Sequence, residues 1–275
     1  MRIRCAWLMV VTVLTVASAH AEERALRVGV LPYLTTNVLI TLFQPLRTHL
    51  EQKLGRPVEL YTAPDVPTFV RRTLDSSYDL TVISPHHARL IQIDAGHIPL
   101  VRFSGPLQAA VAVRSESPLR DVSELRGRRV TVSDRSFLTN IVTMRRLASM
   151  GIGEKDLRLT TVSSQNNALM AMARGDADAA IITRFVLNQI PLAQREGFRL
   201  IYTSEALPNL VLIARPGLPQ GEREALRQVL LTLPTTPDGR AFLQKSRFQG
   251  IQDVTPVFMR QLDSYLPETR RQLYP

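Results

Sequence analysis

Five times in this chain a short apolar run ends in hydroxyl or amide residues, and a helical pattern starts at once. Leu26 to Leu31 runs into Pro32 to Asn37 (PYLTTN), and Leu80 to Ile83 runs into Ser84-Pro85. Val130 to Val132 meets Ser133-Asp134-Arg135-Ser136, Leu159 to Val162 meets Ser163 to Asn167, and Ala179 to Ile182 meets Thr183-Arg184-Phe185. Strand and helix alternating in units of about 20 to 30 residues predict an α/β fold with largely parallel sheets. In open sheets of that kind, ligands sit beyond the carboxyl ends of the strands. There the next helix also presents free backbone N–H groups and its positive end.

The side chains gathered at those ends are candidate ligand contacts. They are Tyr33, Thr35 and Thr36 in the first junction, Asp65 after the second strand, and Ser84 and His86 after the third. Later junctions add Ser136, Thr139, Asn140, Gln165 and Phe185. Asp65 and Asp134 are the main carboxylates among them, so neutral donors dominate, which suits an anion or a polar neutral ligand better than a cation. Arg129 to Arg146 admits two readings. It is an anion cradle, or an ordinary strand–turn–helix connection with Ser136 as N-cap, and on these residues alone the ordinary connection is the simpler one.

Elsewhere, Leu39, Leu42, Phe43, Leu46, Leu50 and Leu54 space a helix that Pro45 is expected to kink or restart and Gly55 to stop. Strands are expected at Val58 to Tyr61, Ile98 to Phe103, Gln108 to Arg114, Leu200 to Tyr202 and Asn209 to Ala214, with a helix broken near Pro191. Everything after Pro216 reads as helical: Glu222 to Leu233, Pro237 to Ser246 behind Thr236, and Pro256 to Tyr265.

The first residues read as a secretory signal rather than as fold. Arg2 and Arg4 precede an apolar run from Ala6 to Ala17, and Ala19-His20-Ala21 supplies a cleavage site after Ala21. The run is short for a membrane span, and Cys5 precedes it, whereas a lipid-bearing cysteine would follow it. Cleavage removes the single cysteine, and with it any disulfide, thiol nucleophile or thiolate ligand. Of the formal net charge of +10, Arg2 and Arg4 carry two, leaving +8 on the exported chain. Its basic residues are scattered without aromatic interleaving, so nucleic acid is not expected as a partner.

Other side chains invite sharper readings than they support. His86 and His87 are adjacent, so on a helix they diverge by about 100° and cannot easily share one metal ion. Surface exposure is the plainer expectation, with His86 as a pocket donor next. No metal or cofactor is expected. Arg145 and Arg146 read as a solvated helix face, Asp178 as a turn residue, and Pro208-Asn209 as a hinge crossover.

Taken in order, LRVGVLP with its Thr-rich loop, HLEQKLGRPVEL, YTAPD (Tyr61 to Asp65) and YDLTVISP (Tyr78 to Pro85) resemble a known family. So do AAVAVRSESPLRDVSELRGRRV, ARGDADAAI (Ala173 to Ile181), IYTSEALPN and VLIARPGLP. That family is the phosphate/phosphite/phosphonate-binding periplasmic solute-binding proteins of ABC transporters. The resemblance implies a type II two-lobed periplasmic binding protein, each lobe a mixed, mostly parallel sheet flanked by helices. Residues 24–105 and 208–275 would form one lobe and residues 106–207 the other, with a ligand cleft between them.

Carried over residue by residue, the family's site is only partly kept. Its Ser-Thr-Ser-Gly run falls on Phe137, Leu138, Thr139 and Asn140, with Ser136 just before. Its donor histidine falls on Gln165, and two pocket tyrosines fall near Val66 and Ile83. The acidic pair that would hold an ammonium falls near Phe185 and Leu210. The resemblance therefore implies a small oxyanion that is not an aminoalkylphosphonate, or an organic acid whose apolar tail lies against Phe137, Phe185 and Leu210. It implies an ABC importer or a membrane sensor as partner, contact with the membrane only through that partner, and a monomer. An enzyme on the same fold is the alternative from another class.

Overall fold

The computed structural model describes residues 24–191 and 195–274. The expected signal segment and part of the stretch around Pro191 lie outside them. Two β-sheets organise the chain. The first has strand order β11-β4-β10-β3-β1-β2, built from β1 (Leu26–Val30), β2 (Val58–Tyr61), β3 (Leu80–Ile83), β4 (Ile98–Ser104), β10 (Val211–Ala214) and β11 (Gly250–Asp253). The second has order β7-β6-β8-β5-β9, from β5 (Ala109–Arg114), β6 (Arg129–Val132), β7 (Arg158–Thr161), β8 (Ala179–Thr183) and β9 (Phe198–Thr203).

Parallel pairing joins β1 with β2 and β3, and β6 with β7 and β8. The remaining neighbours are antiparallel, namely β10 with β3 and β4, β4 with β11, and β5 with β8 and β9. Both sheets are thus mixed, with more antiparallel pairing than strand–helix alternation suggests. The added pairs belong to the strands that enter or leave a sheet beside a crossing, which arrive from the opposite direction.

The chain crosses between the sheets twice, at residues 105–108 and 204–210, and the two crossings run side by side. Leu207 N–H donates to the Leu107 carbonyl at 2.7 Å, the Gln108 side-chain amide donates to the Ser204 carbonyl at 2.9 Å, and Asn209 Nδ2 donates to the Gly105 carbonyl at 3.3 Å.

The helices follow their apolar stripes. Helix α1 (Thr36–Leu54) continues through Pro45 as one helix and does not restart there. It buries Leu39, Leu42, Phe43, Leu46 and Leu50. At roughly 1.5–3 kcal/mol per buried side chain, that stripe outweighs the hydrogen bond lost at the proline. Gly55 closes α1 in the left-handed region at φ 71°, which costs glycine little. Helix α2 spans Val66–Leu74, α3 Pro85–Ala95, α4 Leu138–Ala148 and α5 Gln165–Ala173. The C-terminal helices are α6 (Gln220–Thr232), α7 (Pro237–Ser246), α8 (Pro256–Gln261) and α9 (Leu266–Leu273), with β11 between α7 and α8. Strand β11 corrects the expectation of an all-helical C-terminal segment.

Candidate functional site

A cavity of about 70 Å³ lies between the two sheets and beside the crossings, large enough for several waters or one small ligand. From the first sheet and its helices it takes Leu31, Tyr33, Ser84 and Pro85, with Ser246, Arg247 and Phe248 at the end of α7. From the second it takes Phe137, Leu138, Thr139, Gln165, Thr183 and Phe185, and the crossings add Pro106, Leu107, Asn209 and Leu210. No aspartate or glutamate lines it.

Two helices begin at this cavity without a side-chain cap. Ser84 precedes α3 and Phe137 precedes α4, and neither makes a capping hydrogen bond. The first-turn N–H groups and positive ends of both helices are therefore left for whatever the cavity holds. The expected N-cap Ser136 is not the cap; Phe137 occupies that position. Ser136 instead directs its hydroxyl and its N–H to the Asp134 carboxylate, the N–H at 2.7 Å. Burial pulls the Asp134 carboxyl above its usual range, and Asp65 adds to this against the two Ser136 bonds.

Of the side chains expected at the site, Tyr33, Ser84, Thr139, Gln165 and Phe185 line the cavity. The Tyr33 hydroxyl is buried without a partner, burial pushes its titration well above the usual range, and its ring lies 6.4 Å from that of Phe185. Gln165 accepts from Thr183 N–H through Oε1 at 2.6 Å. That bond fixes the amide and leaves its NH₂ group as the available donor. Phe137 and Leu210, expected as apolar wall, also line the cavity.

The other expected residues sit around the cavity rather than in its lining. Asp65 caps α2, accepting from Thr68 N–H at 2.7 Å. Thr35 precedes α1 and Thr36 begins it, and Asn140 donates to the Arg135 carbonyl at 2.9 Å. His86 and His87 are fully buried, against the expectation of surface exposure. His86 Nε2 donates to the Ser136 carbonyl at 2.7 Å, joining α3 to the β6–α4 junction. Since a carbonyl only accepts, Nε2 carries the proton, and burial lowers the titration of this ring to about 4 despite that bond.

Sequence reading missed Ser246, Arg247 and Phe248 as cavity lining because they lie at the end of a helix, where no strand-end rule points. Thr183 was within reach as the residue that opens the junction after Ala179 to Ile182, and Asn209 reads in the sequence only as a crossover and the start of a strand. Among the described residues, no group of three or more His, Cys, Asp or Glu is placed to hold a metal ion, and no helix is long and apolar enough to cross a membrane.

Two sheets joined by paired crossings, with a cavity between them, define a two-lobed binding fold. Residues 28–257 match the family described as "ABC transporter, phosphonate, periplasmic substrate-binding protein", and the chain belongs to it. That is a family of substrate-binding proteins, not of enzymes. The chain is 20% identical over 278 residues to the phosphonates-binding periplasmic protein of Escherichia coli, covering 91% of this chain and 79% of that one. It is 27% identical over 176 residues to a Haemophilus influenzae protein named for thiamine biosynthesis; that match covers 61% of this chain and about half (52%) of the relative. In fold it is similar to PhnD1 from Prochlorococcus marinus in complex with methylphosphonate, with a TM-score of 0.80, 16% identity, and coverage of 90% of this chain and 98% of that one.

Proposed function

We propose that this protein is a periplasmic solute-binding protein that encloses a small, non-amine oxyanion between its lobes and delivers it to an ABC importer. One observation carries the reading. The cavity combines two uncapped helix starts with neutral polar side chains and has no carboxylate in its lining. The oxyanion would lie at the start of α4, facing Ser84, Thr139 and the Gln165 amide, with an apolar remainder against Phe137, Phe185 and Leu210. An ammonium group there would lack a counter-charge, at a cost of several kcal/mol. The signal segment is removed after Ala21, and the lobes move about the paired crossings as a hinge.

The test is calorimetric titration of the mature protein with phosphate, phosphite, methylphosphonate and 2-aminoethylphosphonate. The expected result is binding of at least one non-amine oxyanion, weakened about tenfold or more by Gln165→Leu, which removes a charge-assisted donor. Sub-micromolar binding of 2-aminoethylphosphonate would overturn the ligand class.

A further inference from the structure

Beside this cavity runs a groove of about 680 Å³, and Arg247 lines both. The groove is formed by Asn37, Val38, Thr41 and Leu42 on α1, by Asn188 from the second lobe, and by Gln244 and Lys245 on α7. Two observations bear on its cations. First, Lys245 and Arg247 line the same groove and neither enters an ion pair among the described residues, so both charges are left for a ligand. Second, Arg247 ends α7 at φ 62°, ψ 17°, and only Ser76 shares a positive φ among the described non-glycine residues. Glycine or asparagine fits that position with less strain. An arginine held there, at the boundary between cavity and groove, points to a task for its charge. The groove end of α1 is positive as well, since Thr35 makes no capping bond and the first turn carries no acidic residue.

We propose that the physiological ligand carries two anionic groups: an oxyanion head in the smaller cavity and, across a short apolar spacer, a second anion in the groove held by Arg247 and Lys245. This rests on the oxyanion reading above and extends it to a chemical class, a phosphonate or phosphate whose tail ends in a carboxylate or a second phosphoryl group. The small cavity takes the head alone, its Phe137 and Leu210 wall takes the spacer, and the unpaired cations lie where the tail emerges. Arg247 is then a specificity-determining residue.

The experiment compares 3-phosphonopropionate with butylphosphonate, of similar length but neutral at the tail, and with methylphosphonate, on the mature protein. Wild type is expected to prefer the doubly anionic probe by about tenfold or more at low salt, and the preference should shrink as salt rises. In the Lys245→Gln, Arg247→Gln double variant the ratio should collapse to about one. Arg247→Gly, which suits the left-handed backbone, separates loss of charge from misfolding and should also lower the ratio. Equal affinity for the two long probes, or a preference that survives the double variant, overturns the proposal while binding of the simple phosphonates leaves the oxyanion reading standing. If none of the three probes binds, the two-anion proposal falls, and the oxyanion reading stands or falls on the phosphate and phosphite titrations above.

Discussion

Asp79 sits where β3 begins and accepts from the Arg27 N–H at 2.9 Å, from Arg215 Nε at 2.8 Å and from Arg27 Nε at 3.3 Å. Burial alone would raise its titration, but those bonds outweigh burial and hold the carboxyl below its ordinary value. Its stabilising contribution is therefore present above the unfolded value of 3.8 and fades as pH falls below it. Asp79→Asn leaves three guanidinium groups, those of Arg24, Arg27 and Arg215, facing a neutral amide and should cost about 2–4 kcal/mol at pH 7, read from urea unfolding. The variant should also lose part of the wild type's acid destabilisation. Asp79 lies inside the YDLTVISP segment, yet nothing in that string shows that Arg215, 136 residues later, completes its shell. Single-residue chemistry was legible where the residue lies in a strand-to-helix junction, as at Ser84 after β3 and Gln165 at the start of α5. It was illegible where the partner comes from far along the chain.

At the scale of the element, α7 shows how a local rule reaches the site. Thr236 caps it by accepting from Gly239 N–H at 3.0 Å, a pattern visible in the sequence as Thr followed by Pro. Gly239 is required for another reason, because a Cβ built there would stand 1.7 Å from the Leu233 carbonyl oxygen. Gly239→Ala should therefore cost about 1–3 kcal/mol through a shifted helix start, despite alanine's better helix propensity. Since α7 ends at Ser246 and Arg247, the same variant should weaken ligand binding, and unfolding and titration together check both effects. Strand β11 makes the contrasting case. Its sequence, GIQD, has no alternation to mark it, and only the open edge of β4 makes it a strand.

For the whole molecule, the bond from His86 to the Ser136 carbonyl joins the two lobes in a fully buried setting. His86 titrates near 6.5 in the unfolded chain and at about 4 when buried, so the folded form excludes a proton. Burial lowers His87 well below its ordinary value too, with His86 as a further cause. Folded stability should thus be unaffected above pH 6.5 and fall as pH drops from there toward 4, by about 3 kcal/mol for His86 alone. Thermal unfolding across that range, with His86→Gln expected to reduce the slope by about one proton, checks the sign and the size. A profile flat between pH 6.5 and 4 would contradict the neutral buried pair. The repeated strand-to-helix junctions by themselves determined the α/β class and most of the polar residues at the strand ends, because hydrophobic periodicity and turn chemistry act over a few residues. Only the tertiary structure decided which junctions meet across the lobes, that both histidines are buried, and that Arg247 stands at the cavity rim. Those outcomes depend on how two separately formed sheets are brought together by two crossings nearly a hundred residues apart, a distance over which local sequence pattern carries no information.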